Sequence, residues 1–208
     1  MKVALLHYTP LEVCAHAIRT CWQSFDKSDE GGEKDRALID RVGNKYKHAS
    51  TLEHLVYTFY IRGISRALLQ ELARHRMASL SVKSTRYTLK ELKECAPFDI
   101  DDFEGASRFI VLTGKEAVDR ASIRALNALQ KLLKEGIGND YAKYALPESY
   151  KTELTWTINA RSLQNFLQLR SNKAALWEIR TLAYSLYERL PEDHRYLYTE
   201  TLYREETP

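Results

Sequence analysis

The residues best suited to chemistry lie between Arg74 and Tyr87. Carried on to Lys90, this run holds Arg74, Arg76, Lys83, Arg86 and Lys90 and no acidic side chain. Ser79, Ser81, Ser84 and Thr85 sit among them. Guanidinium forks and hydroxyls at this density suit phosphate oxygens. Met77, Ala78, Leu80 and Val82 make the run too apolar for a solvated tail. It does not fit one helix. Residues two apart there point about 200° apart, so Arg74 and Arg76 would not serve one ligand. The run reads as a helix ending near Arg74, a turn, and an extended piece to Tyr87 in which Ser84 and Arg86 share a face. The plainer reading is a helix C-terminus whose basic residues complement the helix dipole.

Two further stretches carry suitable groups. In Asn159–Arg170, Arg161 and Asn165 share a helical face at four-residue spacing. Arg170 lies roughly 140° round from Asn165, so one helix could address two ligands. The plainer reading is an Asn159 cap and a solvated Arg161. In His48–His54, Ser50 and Glu53 have capping-box spacing before a strand. The two histidines and the carboxylate there match no zinc spacing.

The elements that would position these groups follow from periodicity. Residues 2–8 read as a strand, and Pro10 opens a helix to about Trp22. A polar loop, Asp26 to Gly32, precedes a helix from Glu33 to Tyr46. From Leu55 to Ile61, alternation marks a strand with Leu55, Tyr57, Phe59 and Ile61 inward, broken by Gly63. Ser65 then caps a helix to Arg74 with Leu68, Leu69, Leu72 and Ala73 as its core face. A short helix runs from Leu89 to Glu94, and an acidic loop from Phe98 to Gly105. A long helix from Lys115 to Glu135 presents Val118, Ala121, Ala125, Leu129 and Leu132 as a face for the core or for a subunit interface, and Gly136 stops it. A helical piece over 140–145, a strand over 150–158, the Asn159 helix and helices over 174–190 and 192–203 complete the chain.

The 208 residues suit one domain, or one completed in an oligomer. A net charge of +3 is too weak to imply nucleic acid, and the local basic excess suggests a small anionic ligand. Cys14 and Cys21, on one helix, would stand about 10.5 Å apart along its axis, too far for a disulfide. Three cysteines without a framework read as reduced and cytoplasmic. No apolar run reaches membrane-span length, and the first residues are too short for a signal peptide. Gly136-x-Gly138 is no dinucleotide fingerprint and no Gly-rich phosphate loop occurs, so phosphate must be held by side chains or helix termini.

Arg74-His75-Arg76, seven residues and Ser84 resemble the signature of the flavin-dependent thymidylate synthases. The His48–His54 stretch and the Asn-Ala-Arg-Ser-Leu-x-Asn-Phe-Leu-x-Leu-Arg order of 159–170 resemble the same family, which the chain follows from Arg19 to Glu178. The resemblance implies an α/β (α+β) fold with a mostly antiparallel sheet flanked by helices, one domain per subunit, in a homotetramer with each site at a subunit junction. It implies a methyltransferase that makes dTMP from dUMP. Methylenetetrahydrofolate would supply the carbon, NADPH the hydride, and FAD would carry both through its N5. By position, Ser50, Arg74, His75, Arg76, Asn159, Ala160, Arg161 and Asn165 would contact FAD, with His48 and His54 lining the flavin side. Glu71, Leu72, Ala73, Arg74, Val82, Lys83, Ser84, Thr85, Arg86, Lys143 and Arg170 would surround dUMP.

Carbon 5 of uracil becomes nucleophilic when negative charge is placed on the ring, and a fixed Arg170 guanidinium at the N3–O2 edge would stabilise that charge. No cysteine has a basic neighbour in sequence, so cysteine addition to the base lacks local support. The chain departs from the family pattern at Glu71 (often glutamine), Val82 (often a carboxylate), Ala174 (histidine) and Cys21 (serine). At Lys143 (a common arginine), a bidentate phosphate contact becomes a point charge. Two competing readings are a nucleic-acid-binding protein with a basic groove and no enzymatic activity, and a helical interaction protein.

Overall fold

The computed structural model describes residues 1–203. Contacts group the chain into two compact units. One comprises Met1, Arg62–Glu71 and Ser81–Leu154, and the other Lys2–Ile61, Leu72–Leu80 and the chain from Thr155 on. The elements in order are β1 (Lys2–Tyr8), α1 (Leu11–Thr20), α2 (Glu33–Ile39), β2 (Val56–Ser65), α3 (Arg66–Ala73), β3 (Ala78–Val82) and α4 (Lys90–Glu94). There follow α5 (Phe103–Ala106), α6 (Glu116–Lys134), α7 (Asn139–Ala142), β4 (Lys151–Asn159), α8 (Ala160–Arg170) and α9 (Trp177–Arg189).

The strands form one mostly antiparallel sheet in the order β1-β2-β4-β3. Thr9 donates its amide to Val56 O at 2.9 Å, while Met1 lies beside Gly63 at the opposite end of the pair. Ala160 N reaches Leu55 O at 2.8 Å and Arg66 N reaches Tyr150 O at 3.1 Å, so β2 and β4 also run in opposite directions. Gly63 does not end β2 as expected. It takes φ +71, which glycine adopts without steric cost, and the strand continues to Ser65. The inward side switches there: Tyr57, Phe59 and Ile61 are buried before the glycine, Ile64 and Ser65 after it. That change of period is what a bulge produces.

Ser65 caps α3 as read, accepting Leu68 N at 3.0 Å. Its core face is narrower than expected: Leu68 and Leu72 are fully buried, Leu69 is half-buried and Ala73 is exposed. In α6 the apolar stripe and the buried face coincide only in part. Ile123, Leu126, Leu129 and Leu133 are buried with Asp119, Ser122 and Gln130, whereas Val118 is 50% exposed and Leu132 half-buried. The helix expected over 33–46 changes character at Asp40. Asp40–Lys45 forms a π-helical turn, with Tyr46 N bonded to Arg41 O at 2.9 Å. Gly43 is buried there, and a β-carbon on it would stand 2.7 Å from Leu52 Cδ2.

The acidic loop is not wholly irregular, since Asp102 caps α5 through Gly105 N at 2.8 Å. The helix expected from Ala174 begins at Trp177, and the one expected over 192–203 is a 3-10 segment, Glu192–Tyr198. One core gathers Leu89, Leu92, Phe109, Ile110 and the inward face of α6. In the other unit Tyr57, Phe59, Trp156, Phe166 and Tyr198 are fully buried. No helix among the described residues is long and apolar enough to cross a membrane.

Candidate active site

Asn159 ends β4 and caps α8, its side chain accepting Ser162 N at 2.8 Å. The cap sets the helix rotation. Leu163, Phe166 and Leu167 face inward, while Arg161, Gln164, Asn165 and Gln168 line a cavity of about 300 Å³. Arg161 Nη1 pairs with Glu53 Oε1 at 2.7 Å, both groups about half exposed. Glu53 belongs to a 3-10 turn, Ala49–His54, which replaces the expected capping box. Ser50 caps nothing, and Thr51 Oγ1 instead donates to His48 O at 2.9 Å. The carboxylate read as a local cap therefore reaches 108 residues along the chain to α8. Ser50, His48 and His54 lie on this exposed turn.

After α3 the chain leaves the helix, as the Arg74–Arg76 spacing required. Arg74 and Arg76 are exposed. His75 turns inward, its ring edge-on to Phe166 at 4.8 Å, and Phe166 meets Trp156 at 5.1 Å. Arg170 Nε donates to His75 Nε2 at 2.9 Å. The end of α8 and the middle of the Arg-His-Arg run therefore meet. This bond requires an unprotonated Nε2 on His75.

In the other unit, Ser84–Tyr87 is a turn rather than an extended piece, with Tyr87 N bonded to Ser84 O at 3.2 Å. β3 stops at Val82, so Ser84 and Arg86 do not share a strand face. Arg86 holds Asp140 through Nε at 2.6 Å and Nη2 at 3.4 Å, and Asn139 Nδ2 reaches Arg86 O at 2.7 Å. These bonds bring the turn to the short helix α7, which is followed directly by Lys143. Lys83 Nζ lies 3.6 Å from Glu153 Oε1. The run that looked uniformly basic is thus partly neutralised by carboxylates distant in sequence, which argues against a nucleic-acid groove. Leu72 is fully buried, so only its backbone could touch a ligand, whereas Ala73 and Val82 are exposed.

All three cysteines are free thiols. Burial pushes the Cys14 thiol up to about 12, which removes it as a nucleophile.

Sequence reasoning missed Asn44, Lys47, Gln164, Gln168 and the Tyr196–Thr201 stretch, which complete the cavity. Gln164 and Gln168 were findable, because they fall on the helical face that holds Arg161 and Asn165. Nothing in the local sequence marks Asn44 or Lys47. The buried His194, whose Nδ1 lies 2.8 Å from the Tyr57 hydroxyl, has no motif around it in the sequence.

A family model described as thymidylate synthase complementing protein matches residues 4–194. The flavin-dependent thymidylate synthase of Wolinella succinogenes is 71% identical over 198 residues, covering 95% of this chain and 97% of the relative. That of Campylobacter jejuni is 66% identical over 205 residues, covering 99% of each. The crystal structure of flavin dependent thymidylate synthase ThyX from Helicobacter pylori, complexed with FAD and dUMP, matches with a TM-score of 0.93 at 56% identity, covering 98% of this chain and 100% of that one. Neither competing reading gains support from these likenesses.

Proposed function

Because the chain belongs to the flavin-dependent thymidylate synthase family, we propose that it methylates dUMP reductively to dTMP, with FAD as cofactor, methylenetetrahydrofolate as carbon donor and NADPH as reductant. The observation that carries this reading is the Arg170–His75 bond at 2.9 Å. It joins two stretches that the sequence assigned separately to nucleotide and to flavin.

The residues fit a bound dinucleotide. Exposed Arg74 and Arg76, the cavity beside α8 and the Asn159-capped helix start offer cationic and amide donors without a Gly-rich loop. FAD, when bound, supplies the relay of hydride and carbon. Arg74, His75, Arg76, Ser50, Asn159, Ala160, Arg161 and Asn165 bind it, with His48 and His54 on the flavin side. Arg170 stabilises the negative charge that makes carbon 5 of the pyrimidine nucleophilic. His75, by accepting from Nε, fixes the plane of that guanidinium. Ser84 and Arg86 hold the nucleotide phosphate, Lys143 adds a point charge, and Glu71–Arg74 with Val82, Lys83 and Thr85 surround the nucleotide. Arg86 must exchange its exposed Asp140 partner for phosphate, a small cost for a surface pair.

The protein acts as a homotetramer of single-domain subunits in the cytoplasm, with its sites at subunit junctions. Supporting this are a family match spanning nearly the whole chain, the half-open apolar stripe of α6 and three reduced thiols. Purified protein mixed with FAD and passed through gel filtration should keep absorbance near about 450 nm, the flavin's own band. It should then form dTMP from dUMP, methylenetetrahydrofolate and NADPH. A colourless eluate that makes no dTMP would sink the reading.

A further inference from the structure

Arg170 is the last residue of α8. The end of a helix frays unless something outside it takes hold, because its final carbonyls lack partners within the helix. A guanidinium that must meet a ring edge tolerates little fraying, since a misplacement of about 1 Å can cost on the order of 10² in rate. Residues 197–203 provide the hold. Gln164 Nε2 donates to Leu197 O at 2.7 Å, and Tyr203 N donates to Ser171 Oγ at 2.8 Å. The two attachment points lie about 10.5 Å apart along the helix axis. The segment is therefore a strap beside the last two turns of α8.

Ser171 is the junction. It follows Arg170 directly, caps α8 and is fully buried. Its hydroxyl donates to Leu167 O at 2.6 Å while accepting from Tyr203 N. Tyr184 of α9 makes a second link. Its hydroxyl donates to Tyr203 O at 2.7 Å and stands 3.4 Å from Ser171 O. Both backbone polar groups of Tyr203 are thus tied to the end of α8, directly or through α9. The Tyr203 ring itself is only half-buried, with the Lys173 ammonium 6.0 Å from its centre. Docking for stability alone favours buried apolar area over bonds that converge on the residue after Arg170.

We propose that Ser171 and Tyr184 are positioning residues for the methylation of dUMP, acting through Arg170. They clamp the strap to the end of α8 and so fix the backbone from which Arg170 reaches His75 at 2.9 Å. The His75 contact sets the plane of the guanidinium, and the strap sets where that plane stands. Neither residue needs contact with the substrate. The inference rests on the methylation reading above and adds to it the part of the chain that holds the base-activating group still.

The test is a double-mutant cycle on the full chain loaded with FAD. Ser171→Ala and Tyr184→Phe are each made alone and together with Arg170→Lys. Tyr184 is 36% exposed, so phenylalanine should be accommodated even where a change at the buried Ser171 is not. Ser171→Ala should lower kcat for dTMP formation about tenfold and Tyr184→Phe about threefold, fractions of the loss that a full misplacement brings. KM for dUMP and the rate of flavin reduction by NADPH should stay within about twofold of wild type. Amide exchange at 170–172 should quicken in both variants while the middle of α8 stays protected. In the Arg170→Lys background, where the planar fork is already gone, neither change should lower kcat much further. The same loss in both backgrounds, a parallel loss of flavin reduction, or unchanged kcat and exchange in both variants would overturn the strap's part while leaving the methylation reading intact. A wild-type protein that forms no dTMP would overturn both.

Discussion

Arg170 meets His75 across 95 residues of sequence, and neither residue's neighbourhood announces the contact. What was legible was the direction: 100° per residue turned Arg170 away from Asn165, and the structure turns it away from the cavity that Asn165 lines. The partner was not legible, because a loop residue's reach depends on packing, here of His75 against Phe166. If Arg170 acts by a fixed planar fork, Arg170→Lys keeps the charge but loses the geometry. Turnover should fall by roughly 2.7–4 kcal/mol in barrier, the scale of one preorganised donor, and more than dUMP binding falls. Stopped-flow traces should show flavin reduction by NADPH preserved; near wild-type turnover of dUMP, or loss of flavin reduction instead, would reassign the residue. A second pair acts on stability. Asp35 is fully buried and accepts from Arg19 at 2.6 Å, Ser28 at 2.7 Å and Gly31 N at 3.0 Å. Burial raises its carboxyl, but the Ser28, Arg19 and Gly31 bonds outweigh burial and hold the pKa below its ordinary value. Asp35→Asn should cost about 3–5 kcal/mol at pH 7, read from urea melts, because Arg19 is left buried and unpaired. A depressed carboxylate stabilises above its unfolded pKa of about 3.9 and ceases to as pH falls through the lower folded value. The gap between wild type and variant should therefore be full at pH 7 and narrow below about pH 3.9.

Caps and alternation were the most readable signals at the level of elements. Ser65 and Asn159 hold their helices as their positions indicated, and the alternating residues of β2 are buried in the expected register up to Gly63. The α6 face was not readable from apolar spacing, because polar residues fill part of the inner face. Asp119 accepts Thr113 N at 2.8 Å and Thr113 Oγ1 at 2.9 Å, and Gln130 Nε2 donates to Leu92 O at 2.9 Å and Cys95 O at 2.7 Å. Partners outside the helix make those burials inexpensive, and no periodicity rule sees them. The Asn159 cap also orients the face that carries Arg161 and Asn165. Asn159→Ala should cost about 1 kcal/mol of stability in a denaturant melt. Its effect on FAD affinity should exceed its effect on dUMP affinity in parallel titrations; equal losses would indicate general loosening of α8.

For the molecule as a whole, motif order and spacing carried the family, while the stretches that complete the cavity come from parts of the chain with no motif. The proposed tetramer needs an uncovered apolar surface, and α6 offers one. Val118 is half exposed on α6, and Ala121, Ala125 and Leu132 continue the same stripe. Sedimentation should give a particle about four times the 24.1 kDa chain. Val118→Lys should shift it toward smaller species if this stripe is a subunit contact. A tetramer unaffected by that change would move the contact elsewhere on the chain.

The π-helical turn at Asp40–Lys45 means that length itself, and not only residue type, is under constraint here. A π turn accommodates one residue more than the α turn it interrupts. Relatives shortened by one residue at this point would close the turn to ordinary helix and keep their fold. The Asp40–Asn44–Gln164 wall would then lose its spacing. Deleting Arg41, an exposed position, should lower the thermal midpoint by only about 2–4 °C while weakening FAD markedly. In this protein a gap in an alignment at that turn would carry as much weight as a substitution in the Arg-His-Arg run.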